Sequence, residues 1–235
     1  MNDQKQLISS LGEEMTIQQK RTMIFFIEAT KHILQEDGYD HLTIREIAQR
    51  AGYNAATLYH YFRDLDELII YGSVGFLSDY VRLLACRIKH SMTALQKYQT
   101  IYACFNEVAF VWPRVFYHMF FGNHHVDLGQ VISTYYKVLY PEELQKIPDL
   151  ALREMLQRGT LFERDEVMMD ELVAEGTIRR EDAALTLETI IALHERYLHQ
   201  ASLLKKEDPR PLEEAFQNVF LFVLEKISVK SSVSR

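Results

Sequence analysis

Hydrophobic residues recur at intervals of three and four along most of the chain, and no stretch sustains the two-residue alternation of a half-buried strand. The pattern predicts helices near residues 16–37, 44–51 and 55–61, followed by 65–90, 92–111, 113–121, 126–139, 148–175, 181–204 and 211–227. Pro113, Pro141, Pro148 and Pro211 fall at or near expected helix starts, where a missing amide leaves no bond unmade. Gly122 and Gly176 fall at expected ends. The polar, proline-broken run from Lys205 to Pro211 reads as a loop between the last two long helices.

Between Thr43 and Phe62 the spacing becomes specific. Thr43 with Glu46 three residues on forms a capping-box signature, so a helix should start there, with Ile44, Ile47 and Ala48 on its inner face. Gly52 supplies the positive-φ residue that ends a helix, Asn54 is the next N-cap, and a second helix from Ala55 to Tyr61 would turn Leu58 and Phe62 inward. Two short helices joined by a glycine corner are the layout of a helix-turn-helix. A helix opened by Thr16 with Gln19 and closed by Gly38 precedes them, its expected stripe being Ile24, Ile27, Ile33 and Leu34.

Residues 16–68 resemble the N-terminal DNA-binding domain of the TetR/AcrR family of transcriptional repressors. The resemblance is carried by Gly38-Tyr39, Thr43, Ile47-Ala48, Ala51-Gly52, Thr57-Leu58-Tyr59, Tyr61-Phe62 and Glu67-Leu68. It implies an all-α chain with an N-terminal tail and helix-turn-helix domain over residues 1–64. A helical effector-binding and dimerisation domain would follow over residues 65–235. Carried over by position, Ala55, Ala56 and Thr57 would approach base edges of a double-stranded operator, Tyr59 and His60 would touch phosphates or bases, and Thr43 and Arg45 would hold the backbone. Asn54 caps the reading helix at its phosphate-facing end. The family places a lysine shortly after the Tyr-Phe pair; here that position is Leu65, and Arg63 is the basic residue nearest to it.

Composition bears on partners more than on fold. At 235 residues and 48% hydrophobic, the chain can bury a sizeable core. Its longest unbroken apolar runs, such as Val219 to Leu224, fall short of the roughly 20 residues of a membrane span. The start of the sequence lacks the basic patch and apolar run of a secretory signal, so the expected location is cytoplasmic, without a membrane partner. Cys86 and Cys104 lack metal or redox spacing and are expected as buried thiols. Residues 1–68 carry seven Lys/Arg against eleven Asp/Glu, an unusual balance for a DNA-binding domain. Lys20, Arg21, Arg45, Arg50 and Arg63 nevertheless cluster near the two short helices.

In the remainder, Phe105 to Phe121 concentrates the aromatics. Such a stripe is either ordinary core or, as the resemblance implies, the wall of an effector pocket built from Phe105, Phe110, Trp112, Phe116, Met119, Phe120, Tyr135 and Met168. The implied effector is a small hydrophobic or aromatic molecule. The last two helices are apolar around much of their circumference, which fits either a central position in one fold or the interface of a homodimer formed by Leu185, Ile191, Leu198, Phe216, Val219, Phe220 and Val223. His194 and His199 are five residues apart, roughly 140° around a helix, and are expected to face solvent or an interface rather than a shared metal. His118, His124, His125 and Asp127 gather at a loop without fixed metal spacing. No phosphate-binding glycine loop or nucleophile elbow is present, so neither an enzyme, a cofactor nor a metal is expected. A ligand-responsive repressor therefore stands first, and a module of the same fold that binds a protein partner through its N-terminal helices stands second. The acidic balance predicts few neutralised phosphates: log affinity for DNA should fall with log salt much less steeply than a slope of about −10, as a salt titration would read.

Overall fold

The computed structural model describes residues 15–204 and 207–229, so the N-terminal tail and Lys205-Lys206 of the expected loop lie outside the described residues. Among the described residues there is no strand. The chain divides into two compact units, Met1–Ser78 with His124–Gln145, and Asp79–Asn123 with Lys146–Arg235.

The first unit opens with α1 (Ile17–Glu36), started by the reciprocal Thr16–Gln19 capping box and terminated at Asp37 with Gly38 at φ 73°. A 3₁₀ turn (Tyr39–His41) leads to α2 (Ile44–Ala51), where Thr43 Oγ1 accepts from the Glu46 amide at 3.1 Å. The return bond from the Glu46 side chain, part of the expected capping box, is not made here. Gly52 takes φ 79°, and the Tyr53 amide donates to the Ala48 carbonyl at 2.9 Å, which turns the chain into α3 (Ala55–Leu58). α3 is shorter than expected. After Leu58 the amides of His60 and Tyr61 bond three residues back, a tighter winding that carries the chain to Phe62. α4 (Leu65–Val74) follows, its N-cap Asp64 accepting from the Glu67 amide.

The core of this unit is built on α1. Phe26, Ile27, Ile33, Ile47, Leu58, Phe62, Leu68 and Ile70 are buried, whereas Ile24 of the expected stripe is only half-buried. The Phe26 and Phe62 rings meet edge-on at 6.2 Å, and Phe62 meets Tyr71 at 5.5 Å. α1 and α4 approach closely at Gly72, where an added Cβ would lie 2.7 Å from Thr30 Cγ2. A later segment completes the unit: α8 (Leu128–Thr134), a π-helical turn (Tyr135–Leu139) and α9 (Pro141–Gln145). It lies against α1 and α4, with Tyr140 Oη donating to Glu28 Oε1 at 2.7 Å and Ser78 Oγ to Glu143 Oε1 at 2.9 Å.

The second unit holds most of α5 (Leu77–Arg87), then α6 (Ala94–Ala109), α7 (Pro113–Phe121), α10 (Leu150–Gln157), α11 (Leu161–Ala174), α12 (Arg180–Ser202) and α13 (Arg210–Ile227). α12 packs against α7, α11 and α13. Two expected helices are each divided. The span 65–90 breaks at Gly75-Phe76, and 148–175 breaks at Arg158-Gly159, after which Thr160 and Glu163 form a full capping box that starts α11. Taken together, Leu65–Arg87 is long and apolar enough to cross a membrane by length and composition alone, and most of it is buried. Cys104 is a buried thiol, but Cys86, also expected to be buried, is exposed.

The Gly72 contact yields a stability test. Gly72→Ala should lower stability by roughly 1–3 kcal/mol in urea unfolding. Thr30→Ser, which removes the nearest methyl while keeping the hydroxyl bonded to the Phe26 carbonyl, should restore part of that loss. An unchanged midpoint for Gly72→Ala would contradict the close approach.

Candidate DNA-reading surface and buried polar pocket

The geometry of the reading surface begins with Asn54. Its Oδ1 accepts from the Thr57 amide at 2.9 Å and from the Thr57 hydroxyl at 3.1 Å, fixing the first turn of α3. Leu58 and Phe62 point into the core, which leaves Ala55, Ala56, Tyr59 and His60 exposed and Thr57 half-buried on the outer face. Tyr59 keeps 56% of its surface. Thr43 and Arg45 are exposed at the start of α2. Of the residues expected to face DNA, all but Thr57 are thus exposed in the first unit.

Charge on that surface is partly neutralised from within. Arg50 binds Glu36 at 2.6 Å and Asp37 at 3.4 Å, and Arg63 Nε donates to Asp64 Oδ2 at 3.2 Å. The Arg63 amide is held by Glu67 at 2.6 Å. His125 Nε2 also lies 3.0 Å from Asp64, so with the Glu67 amide this carboxylate meets three nitrogen partners. The Asp64 carboxyl is held below its ordinary value: burial pushes it up, and the bonds from the Glu67 amide, His125 and Arg63 outweigh that.

Residues 26–71 match the family model described as bacterial regulatory proteins, tetR family. Residues 26–71 therefore carry the N-terminal domain of tetR-family regulators. Among solved structures, the chain is similar in fold to the TetR-family repressor FadR of Thermus thermophilus, crystallised with lauroyl-CoA. That likeness has a TM-score of 0.54 at 13% identity, over 85% of this chain and 93% of the other. Also similar are a putative tetR-family regulator from Shewanella sp. PV-4 (TM-score 0.49, 12% identity, covering 88% and 98%) and the ketosteroid transcriptional regulator of Mycobacterium tuberculosis (TM-score 0.46, 17% identity, covering 88% and 94%). No curated protein matches the chain.

The second unit contains a polar centre that the sequence pattern did not reveal. A cavity of about 20 Å³ is lined by Tyr80, Ile101, Tyr102, Phe105, Met155, Leu161, Arg164, Asp165 and His194. Arg164 is 2% exposed; its Nε donates to the Arg158 carbonyl at 2.9 Å and its Nη2 to the Leu156 carbonyl at 3.3 Å, satisfying acceptors at the end of α10. Its cationic carbon lies 5.2 Å from the Phe120 ring. Asp165 Oδ2 accepts from Tyr98 at 3.0 Å and, more closely, from Tyr102. Burial pushes the Asp165 carboxyl up to about 7, although the two tyrosine hydroxyls pull it down. His194, expected to face solvent or an interface, is 1% exposed instead. It sits among Tyr102, Phe105, Phe110 and Phe216, and burial lowers its pKa to about 3.

Of the aromatics expected to line an effector pocket, Phe105 borders this cavity, and Phe116 and Phe120 pack on Phe105 at 5.3 and 5.7 Å. Phe110, Met119 and Met168 are buried elsewhere in the same unit, and Trp112 is half-buried at the start of α7. Tyr135 belongs to the first unit, where it is buried. Of the expected interface residues, Leu185 is exposed and Ile191, Val219 and Val223 are half-buried on the outer side of α12 and α13. Leu198, Phe216 and Phe220 are fully enclosed at 0% exposure, so they belong to the unit's own core and are unavailable to a second subunit. Leu185 and Val223 instead border an open groove of about 570 Å³ with Phe222. Among the described residues no group of three or more His, Cys, Asp or Glu is disposed to hold a metal ion.

Asp165 and His194 should leave opposite marks on stability. The folded Asp165 value lies above its ordinary 3.8, so its contribution is full below about pH 4 and is lost as pH rises through about 7. The folded His194 value lies below its ordinary 6.5, so its contribution is present above that pH and is lost as pH falls toward about 3. From about pH 4 to 6.5 the two slopes oppose each other. Asp165→Asn should therefore expose an added loss on acidification, up to about 1.4 kcal/mol per pH unit, and His194→Gln an added loss as pH rises toward 7. Urea midpoints across this range would test both; variants running parallel to the parent would contradict the assignment.

Proposed function

We propose that the chain is a ligand-responsive transcriptional repressor that works in the cytoplasm, binding a palindromic double-stranded operator as a homodimer and released by a small, largely apolar effector. The observation that carries this is the Asn54-capped α3, with Leu58 and Phe62 locked into the core and Ala55, Ala56, Tyr59 and His60 presented outward. Small residues at the helix start let its backbone approach base edges. The open groove beside α12 and α13, where Leu185, Phe222, Val223 and Ile227 stand beside Arg179, Asp182 and Lys226, offers a surface of mixed polarity for a second subunit. Two recognition helices must then lie about 34–36 Å apart to enter successive major grooves. Effector binding acts by moving the helix that begins at Leu65 so that this spacing is lost.

A protein-binding module of the same fold is the second reading, favoured by the engagement of Arg50 and Arg63 with neighbouring acids. An electrophoretic shift with DNA from upstream of the chain's own gene separates the two. Retardation is expected for the parent, and Tyr59→Ala should weaken it by about tenfold without changing the unfolding midpoint. No retardation by any fragment of that region would favour the protein partner. The effector and the DNA must also weaken each other by the same factor at equilibrium.

A further inference from the structure

The cavity beside α6 carries more polar chemistry than an apolar effector requires. Arg164 donates to two backbone carbonyls and Asp165 accepts from two tyrosine hydroxyls. His194 differs. Its Nε2 lies 3.0 Å from Asn106 Oδ1, and with the amide in this orientation, which leaves Asn106 Nδ2 buried without a partner, the ring proton sits on Nε2. Nδ1 is then a bare acceptor, buried and without a hydrogen-bond partner in the chain. A buried acceptor left unmade is unfavourable, and a ligand that donates to it recovers that free energy.

The surroundings decide which donor fits. A carboxylate has no proton to give, and an ammonium would place a second buried cation beside Arg164. A hydroxyl donates to Nδ1 and keeps its own lone pairs for neighbouring donors. The remaining lining, Ile101, Phe105, Met155 and Leu161, is apolar, so the rest of the molecule must be apolar too. At about 20 Å³ the cavity takes roughly one water-sized group. It therefore seats a hydroxyl as it stands, and an attached apolar group requires Met155 and Leu161 to move aside.

We propose that this cavity selects an uncharged, largely apolar molecule bearing one hydroxyl, which donates to His194 Nδ1. The proposal rests on the effector reading given above and narrows its chemistry. A matched series tests it: p-cresol, p-xylene and p-toluate share one ring and one methyl and differ in a hydroxyl, a methyl or a carboxylate. Calorimetry on the full chain without DNA should show p-cresol binding about tenfold tighter than p-xylene, with p-toluate weakest. The ¹⁵N resonance of His194 Nδ1 should move with p-cresol alone. In His194→Phe the difference between p-cresol and p-xylene should vanish; should that variant fail to fold, the resonance in the parent still decides. Equal affinities, a preference for p-toluate, an unmoved Nδ1 resonance or no binding by any of the three would overturn the proposal. Because no DNA enters this experiment, operator binding that persists alongside such a failure leaves the regulator reading intact, and loss of operator binding leaves this one intact.

Discussion

A helix of four residues has no stability of its own, because nucleation fixes several dihedrals before the hydrogen bonds that reward it have formed. α3 exists because Leu58 and Phe62 are clamped beneath α1, where Phe26 and Tyr71 close around the Phe62 ring. The outward direction of Tyr59 and His60 is thus a property of the core, and the Asn54 cap then sets where the helix begins. The same core brings α1 against α4 closely enough that Thr30 tolerates only a glycine at residue 72. Reading surface and helix packing are consequences of one cluster.

The electrostatics of that surface are self-limiting. Arg50 and Arg63 face acids of their own unit, so a phosphate would have to compete with Glu36, Asp37 and Asp64 for them. Exposed pairs of this kind contribute little to stability, so such competition is feasible. A surface built this way leans on shape and short-range contact more than on long-range attraction.

Local signals were legible in the sequence because their causes are local. The caps at Thr16, Thr43 and Asn54 and the positive-φ glycines at 38 and 52 depend on a few neighbouring residues. The break before α11 has the same signature, Thr160 with Glu163, yet lies hidden within a long periodic stretch. The end of α3 at Leu58 is not written locally, since the tighter winding to Phe62 follows from packing. Arg164, Asp165 and His194 stand at apolar-stripe positions, beside Leu161 and Met168 on one helix and Ile190 and Leu198 on another. Their placement hints at burial, but the pairing of Asp165 with Tyr98 and Tyr102 spans more than sixty residues and depends on tertiary packing. Periodicity likewise cannot tell a residue buried in its own unit from one buried by a partner, which is why Leu198, Phe216 and Phe220 read as interface and prove to be core.

The first unit is discontinuous in sequence: His124–Gln145 packs with residues that precede Ser78. Tyr140 reaches Glu28 and Ser78 reaches Glu143, so the chain leaves this unit and returns to finish it. A fragment ended soon after the helix-turn-helix would keep every residue proposed to face DNA and still lack one wall. Excision of the helices proposed to face DNA would thus uncover the α1 and α4 surfaces against which a stretch encoded well downstream packs.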